Sequence, residues 1–147
     1  MICLYGSQAG TTRRLARRMA PMLGGEAVDV LDIRSAVDIA DYHHFVLLSP
    51  TYGDEEFEMS FESFLTRIQW TMLSGRSFAF CEVGIYTGYE TFGHGLIPKL
   101  RHVLAPAGLV EIAAPLSLDA VPIRDWSLVE QWAASVVAAV EEAHGRP

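Results

Sequence analysis

The sequence has little of what marks a secreted, membrane-spanning or disulfide-bonded protein. It contains only 2 cysteines, Cys3 and Cys81, and both lie in apolar, strand-like runs where a buried thiol is the common outcome. No apolar run approaches the ~20 residues that a membrane-spanning helix needs. The chain also opens on an apolar strand rather than on a basic segment followed by a long apolar one. We therefore expect a soluble, cytoplasmic protein that does not bind a membrane.

Basic residues are scarce as well, with 11 Lys and Arg against 18 Asp and Glu and a formal net charge of -7. Nucleic acids are bound by clustered Lys and Arg on a basic surface, so this balance argues against nucleic acid as the main partner. The arginines at 13, 14, 17 and 18 have no interleaved aromatic residue and indicate a solvated helix face. His43 and His44 have no further ligand at a metal-binding spacing, and we predict no metal site.

The sequence does contain an alternation of short apolar runs and amphipathic segments over 147 residues, a length typical of one compact domain. Strands are predicted at 1–5, 27–31, 45–49, 78–83 and 109–118, the last interrupted at Pro115. Helical periodicity follows each of them. It predicts a first helix that Pro21 kinks or ends early, and it places Met72 and Val103 on core faces. This alternation predicts a parallel sheet with helices on both faces and ligands at the carboxyl ends of its strands.

Three segments that directly follow predicted strands carry distinct chemistry. The first, 5–12, combines small residues and hydroxyls at the start of a helix. It suits a phosphate, but its residues are also ordinary helix caps, and both interpretations stay open. The loop predicted at 50–58 contains Tyr52, and the loop at 84–92 contains Tyr89. If the first, third and fourth strands are neighbours, two tyrosines could hold a flat aromatic ring, with stacking worth ~0.5–1.5 kcal/mol per pair.

Together these segments resemble those of the flavodoxin family, and the resemblance covers nearly the whole chain. Ser7–Thr12 is similar to the family's FMN phosphate loop, Pro50–Asp54 to its first flavin loop and Tyr89–Phe92 to its second. No long insertion splits the fifth strand, as in the short-chain form, and some features also look like the MioC-type flavodoxins. The resemblance implies a single FMN-binding domain over residues 1–147. Its fold would be a three-layer α/β/α sandwich with a five-stranded parallel sheet in the order 2-1-3-4-5.

The resemblance also implies which residues bind FMN. Tyr52 and Tyr89 would flank the isoalloxazine ring, and Gly53 is similar to the glycine whose peptide turns over on reduction and stabilises the neutral semiquinone. Two features depart from the family: Ala9 removes a hydroxyl donor to the phosphate, and Ile85-Tyr86 replace a Gly-Asp pair that contacts the ring. The implied cofactor-binding residues are Ser7, Gln8, Ala9, Gly10, Thr11, Thr12, Pro50, Thr51, Tyr52, Gly53, Asp54, Gly84, Ile85, Tyr86, Thr87, Gly88, Tyr89 and Phe92.

An acidic run begins within the second segment and continues to Glu62. Its carboxylates would stabilise a helix start, lower the potential of a nearby flavin and attract a basic redox protein. The resemblance implies a monomeric electron carrier, alone or as an accessory of a redox enzyme, that shuttles single electrons through the semiquinone/hydroquinone couple. A flavodoxin reductase and an acceptor enzyme would dock near Asp54, Glu55, Glu56 and Glu58, with Glu62 nearby.

Two alternatives to the electron carrier remain open. One is a non-flavin signalling or protein-interaction module, because a fold alone does not determine function. A phospho-receiver is the sharpest version, but it needs an acceptor Asp after the third strand, where Ser49-Pro50-Thr51 stand. The other alternative is a small flavin reductase, for which the short loops leave little room for a substrate pocket.

Overall fold

The computed structural model describes residues 1–7, 10–52, 56–84, 96–119 and 123–144. The elements in these ranges, in chain order, are β1 (Ile2–Tyr5), α1 (Thr11–Met22), β2 (Glu26–Asp29), β3 (His44–Tyr52), β4 (Glu56–Phe57), α2 (Met59–Arg67), β5 (Ser77–Gly84), α3 (Leu96–Leu104), β6 (Val110–Glu111), β7 (Leu116–Asp119) and α4 (Trp126–His144). The same ranges contain 3-10 helices at Val30–Asp32, Ala36–Ile39 and Trp70–Leu73. Within them, no helix combines the length and apolar character that crossing a bilayer requires.

The strands form a parallel sheet in the order β2-β1-β3-β5, with the fifth position shared by β6 and β7. β6 pairs with the start of β5 at Ser77 and Phe78, and β7 pairs with its end from Cys81 to Gly84. The predicted strand order and the interruption near Pro115 are therefore confirmed. Trp132 holds the interruption in place by donating from its indole Nε1 to the Ala114 carbonyl at 2.7 Å.

Two hydrophobic clusters occupy the two faces of the sheet, because successive strand residues point to opposite sides. On one face, Phe78 and Phe80 of β5 belong to the cluster that contains the buried residues of α2 and α3. On the other face, Cys81 belongs to the cluster that contains the buried residues of α1 and α4. Helices thus cover both faces, which confirms the predicted three-layer α/β/α architecture.

Both cysteines are free and buried in the second of these clusters, as predicted. Burial raises the pKa of the Cys3 thiol to about 12, and burial also raises the pKa of the Cys81 thiol. Because the thiolate is the reactive form of cysteine, these two residues pack as small apolar side chains.

The third strand is longer than predicted. β3 continues through Pro50 to Tyr52, and the chain turns back as β4, which pairs antiparallel with it at Thr51–Phe57 and Tyr52–Glu56. The prediction of a loop over the whole of 50–58 is therefore wrong. The Leu48 carbonyl accepts the Gly6 amide at 3.1 Å, so the backbone polar groups of Leu48 face β1. Pro50 lies two residues further along β3, and its nitrogen therefore faces the same side. β1 has ended by the level of Pro50, so the missing N–H breaks no ladder bond there.

Two further predictions about the helices are wrong, and one of the two alternatives for Pro21 is excluded. Pro21 does not end α1 early: it lies in the last turn, and the helix continues to Met22 before Gly24 adopts a φ of 67°. Met72 is 56% exposed because α2 ends at Arg67 and Met72 lies in the following 3-10 helix. Val103 is on the solvent side of α3, whose buried residues are Leu96, Ile97, Leu100 and Leu104.

Candidate functional site

The carboxyl ends of β1, β3 and β5 lie side by side at one edge of the sheet. Tyr5 at the end of β1 pairs with Leu48 of β3, and Leu48 pairs with Cys81 of β5. The prediction that these three strands are neighbours is confirmed. The three sequence segments singled out above therefore begin at the same edge, and we call it the carboxyl edge.

The described residues of the first segment lie at the end of β1 and at the start of α1. The Ser7 hydroxyl oxygen accepts the Gly10 amide at 3.1 Å. Gly10 is the N-cap residue of α1 and has a φ of 86°, a left-handed conformation that favours glycine. A hydroxyl that accepts in this way can still donate its own hydrogen to a ligand. Ser7, Gly10, Thr11 and Thr12 are thus brought together at the helix start, whereas Gln8 and Ala9 lie outside the described residues.

The amino terminus of α1 differs from those of the other three helices. α2, α3 and α4 each bind a carboxylate of the chain itself, from Glu58, Glu82 and Asp125, with oxygen-to-amide distances of 3.0 Å at Phe61, 3.2 Å at Leu96 and 3.1 Å at Leu128. The N-cap residue of α1 is Gly10, whose amide is accepted by the neutral Ser7 hydroxyl rather than by a carboxylate, and the first turn contains no acidic residue. The positive end of a helix attracts anions. α1 is therefore the helix start at which an external anion is best accommodated.

Hydroxyls and a guanidinium surround this helix start. Thr12 is buried in the first turn of α1. Thr11 is half-buried, and its hydroxyl oxygen accepts from Arg14 Nη2 at 3.4 Å. Because Arg14 is a cation and the helix start offers backbone amides, the donors suit a dianionic phosphate.

The second and third segments begin at the same edge. Pro50, Thr51 and Tyr52 are the last residues of β3, and Gly84 is the last residue of β5. The Thr51 hydroxyl donates to the Val83 carbonyl at 3.3 Å and joins the two strands near their ends. The other predicted residues of these segments lie outside the described residues; they are Gly53, Asp54, Ile85, Tyr86, Thr87, Gly88, Tyr89 and Phe92.

The predicted acidic docking surface needs correction at Glu58. This side chain is only 3% exposed, so the prediction that it contributes to an exposed surface is wrong. Its carboxylate is turned inward because it accepts the amides of Ser60 and Phe61, each at 3.0 Å, and also bonds the Ser60 hydroxyl. Glu56 is exposed, while Asp54 and Glu55 lie outside the described residues.

Lys99 lies near the exposed Glu56 and Glu62, although it is distant from them in the sequence. Glu56, Glu62 and Lys99 line one surface cavity of about 360 Å³ between β4, α2 and α3. Apolar atoms of Phe57, Leu65 and Val103 form much of the remaining wall. The negative charge of this surface is therefore partly compensated within the fold.

Sequence reasoning missed a row of buried polar residues at the carboxyl edge. Ser49 of β3 pairs with Glu82 of β5, and Glu82 pairs with Ser117 of β7. Ser49 and Glu82 are fully buried. The Ser117 hydroxyl donates to Glu82 Oε1 at 2.6 Å, and the Glu58 amide donates to the Ser49 hydroxyl at 3.3 Å. The available sequence signal was a single acidic residue inside the otherwise apolar run Phe78–Val83.

The sequence matches one family model and several known proteins, and all of these matches belong to the same family. Residues 2–91 match a family model described as a flavodoxin domain. A flavodoxin of Synechocystis sp. is 29% identical over 89 residues, which are 58% of this chain and 52% of that protein. A flavodoxin of Haemophilus influenzae is 23% identical over 110 residues, 74% of this chain and 63% of that protein. The chain spans about half the length of the first of these relatives.

Comparison of the structure gives the same fold over nearly the whole chain. A flavodoxin of Bacillus cereus superposes with a TM-score of 0.76 at 19% identity, covering 93% of this chain and 96% of that one. A short-chain flavodoxin associated with a PDU bacterial microcompartment gives 0.77 at 17% identity, covering 93% and 95%. The flavodoxin of Fusobacterium nucleatum bound to flavin mononucleotide gives 0.72 at 14% identity, covering 97% and 96%.

Proposed function

Because the chain belongs to the flavodoxin family, we propose that it binds FMN at the carboxyl edge and carries single electrons between redox proteins. One observation carries this proposal: carboxylates of the chain itself accept amides at the starts of α2, α3 and α4, whereas the N-cap of α1 is Gly10, which has no side-chain cap bond. A phosphate at α1 completes this pattern, because each helix start then has an anionic partner.

The residues at the start of α1 hold the phosphate in this proposal. Ser7, Thr11 and Thr12 donate from their hydroxyls, and the amides from Gln8 to Thr12 donate from the backbone. The left-handed Gly10, with a φ of 86°, lets the backbone approach the anion closely. The loss of one hydroxyl at Ala9 is compensated by these amides and by the nearby Arg14 guanidinium.

The flavin ring lies against the second and third segments in this proposal. Tyr52 and Tyr89 stack on its two faces, and Gly53 presents its peptide to the ring. Pro50, Thr51, Asp54 and the segment from Gly84 to Phe92 complete the pocket. FMN supplies the one-electron chemistry when bound, and the chain supplies binding, orientation and electrostatics. No side chain has to act as an acid, base or nucleophile.

Redox partners are expected to approach the acidic side of the carboxyl edge. Glu56 and Glu62 are exposed and attract a basic patch on a reductase or an acceptor protein, which increases the rate of encounter. Lys99 lies beside them on the cavity wall. Because salt screens the attraction between exposed charges, a partner with a strongly basic patch is expected to associate less at high salt, and the complex is expected to be transient.

Uptake of FMN and its stepwise reduction test this proposal. The purified protein is expected to be yellow and to release FMN on denaturation, identified by its mass. The FMN-free protein is expected to bind FMN more tightly than riboflavin, because riboflavin lacks the phosphate. Spectroelectrochemistry is expected to resolve two one-electron steps, with no oxidation of NADH when the protein is alone.

Two variants locate the phosphate. Ser7→Ala and Thr11→Val are expected to weaken FMN binding and leave riboflavin binding unchanged. Thr66→Ala is the matched control, because its hydroxyl bonds carbonyls of its own helix at Glu62 and Ser63. A colourless protein that takes up no FMN would overturn the proposed function. Equal losses of FMN and riboflavin binding would overturn only the phosphate assignment.

A further inference from the structure

We propose that Glu82 is a positioning residue that lowers the redox potential of the bound flavin by holding a fixed carboxylate inside the carboxyl edge. This inference rests on the proposed function, because the potential in question is that of the bound FMN. Glu82 is 0% exposed and has no role in binding the phosphate or stacking the ring. Its carboxylate already serves the start of α3 at Leu96, and the effect on the flavin is proposed in addition to that structural role.

The carboxylate of Glu82 is held by donors from two other elements. Oε1 accepts from the Ser117 hydroxyl of β7 at 2.6 Å, and Oε2 accepts from the Leu96 amide of α3 at 3.2 Å. Both oxygens are thus used as acceptors, which suits the ionised form. Because Leu96 is the first residue of α3, the positive end of that helix also stabilises the charge. The structure therefore stabilises a negative charge that would otherwise be costly to bury.

The position of Glu82 along β5 places this charge close to the proposed flavin site. Glu82 pairs with Ser49, and the next pair along the strands is Pro50–Val83. Gly84, where the third segment begins, is two residues further on, a distance of about 7 Å along a strand. The carboxylate thus lies one or two residue levels inside the edge at which the second and third segments leave the sheet.

A buried charge at this distance acts on the flavin more strongly than an exposed one. Water and salt screen exposed carboxylates such as Glu56 and Glu62, whereas a charge in the protein interior is screened much less. Uptake of an electron from an external reductant adds negative charge to the flavin, so the field of Glu82 opposes it and lowers the potential. Glu82 itself neither gains nor loses an electron or a proton in this step.

Two substitutions at Glu82 separate its charge from its contacts. Glu82→Gln keeps the side-chain length and its hydrogen-bonding ability but removes the charge. Glu82→Asp keeps the charge but is one methylene too short to reach both Ser117 and Leu96. The matched control is Glu111→Gln, which changes the net charge equally. Glu111 pairs with Phe78, four residues before Glu82 and so about 13 Å along β5, and Arg101 already compensates its charge at 2.7 Å.

The measurements are the two one-electron potentials by dithionite titration in an electrochemical cell, the dissociation constant for FMN, and the urea-induced unfolding of the FMN-free protein. Glu82→Gln is expected to raise the potential for the second electron, at low and at high salt alike. Glu82→Asp is expected to keep the wild-type potential and to unfold at lower urea concentration. Glu111→Gln is expected to shift the potential much less than Glu82→Gln.

Three results would overturn the proposal. They are a wild-type potential in Glu82→Gln, equal shifts in Glu82→Gln and Glu82→Asp, and a shift in Glu82→Gln no larger than that in Glu111→Gln. In each case FMN binding would leave the proposed function intact, whereas a wild-type protein that binds no FMN would overturn both. If Glu82→Gln does not fold, Ser117→Ala removes one donor to the carboxylate and is expected to lower the potential. An unchanged potential in that variant would also count against the role of Glu82.

Discussion

Replacing Gly6 by alanine is the most direct test of how the carboxyl edge is packed. Gly6 follows β1, and α2 begins directly against it. A Cβ atom at this position would lie 2.3 Å from Glu58 Oε2 and 2.9 Å from the Cβ of Phe61. Both distances are shorter than real contacts of a Cβ atom, and the Cβ of Phe61 moves only with its backbone. The alanine methyl group therefore forces the start of α2 away from β1.

The cost follows from two terms. Overpacking of a buried site destabilises by about 1–3 kcal/mol. Displacement of the Glu58 carboxylate from the α2 amides adds the loss of a helix cap, about 0.5–2 kcal/mol. Together they predict a loss of about 1.5–5 kcal/mol in the free energy of unfolding, or a decrease of roughly 5–20 °C in the melting temperature of a domain of this size.

Urea titration followed by far-ultraviolet circular dichroism measures this loss. Gly24→Ala is the matched control, because a Cβ there has nothing within 4 Å and the residue has a φ of 67°. That variant incurs only the cost of a left-handed backbone, about 1–2 kcal/mol. If Gly6→Ala were no less stable than Gly24→Ala, the packing of Glu58 and Phe61 against Gly6 would be refuted.

Two further predictions concern titratable groups. Cys3 and Cys81 are expected not to react with Ellman's reagent at pH 8 until the protein is unfolded. Burial raises the pKa of the Cys3 thiol from 9.0 to about 12. The free energy of unfolding is therefore expected to fall as the pH rises through that interval. The Asp125 carboxylate accepts hydrogen bonds from the Ser127 hydroxyl, which has the larger effect, and from the Leu128 amide. These bonds lower the pKa of Asp125 below the ordinary 3.8. The stability that they contribute is expected to be present above that pH and to fade as the pH falls below it, so the difference in melting temperature between wild type and Asp125→Ala should vanish in strong acid.

The parts of the fold that depend on local pattern are the parts that could be predicted from the sequence. The apolar run at 45–49 indicates a strand buried on both faces, because parallel strands are covered by helices on both sides. The extension of β3 through Pro50 could not be predicted in the same way. A proline in a central strand is acceptable only where the neighbouring strand has already ended, and this depends on the pairing of β1 with β3.

The candidate site also has parts that depend on local sequence and parts that depend on contacts between distant segments. The bond between Ser7 and Gly10 joins residues three positions apart, so local residue types can indicate a helix start there. The fate of the acidic run is not local: Glu56 is exposed and Glu58 is buried, although both belong to one run of like charges. The difference arises because Glu58 is the N-cap residue of α2, and its carboxylate accepts the amides of Ser60 and Phe61. Glu82 could not be assigned either, since its partners Leu96 and Ser117 are distant in the sequence.

The break between β6 and β7 is a position at which the chain can accept extra residues. β6 and β7 pair independently with the two ends of β5, so the ladder is already interrupted between them at the edge of the sheet. Extra residues beside the exposed Ala114 would leave both registers intact, at an entropic cost that grows only slowly with loop length. Trp132, which binds the Ala114 carbonyl, marks the side of the insertion that must stay anchored. A peptide, a reporter or a second domain is therefore expected to be tolerated at this position, with both strand registers kept.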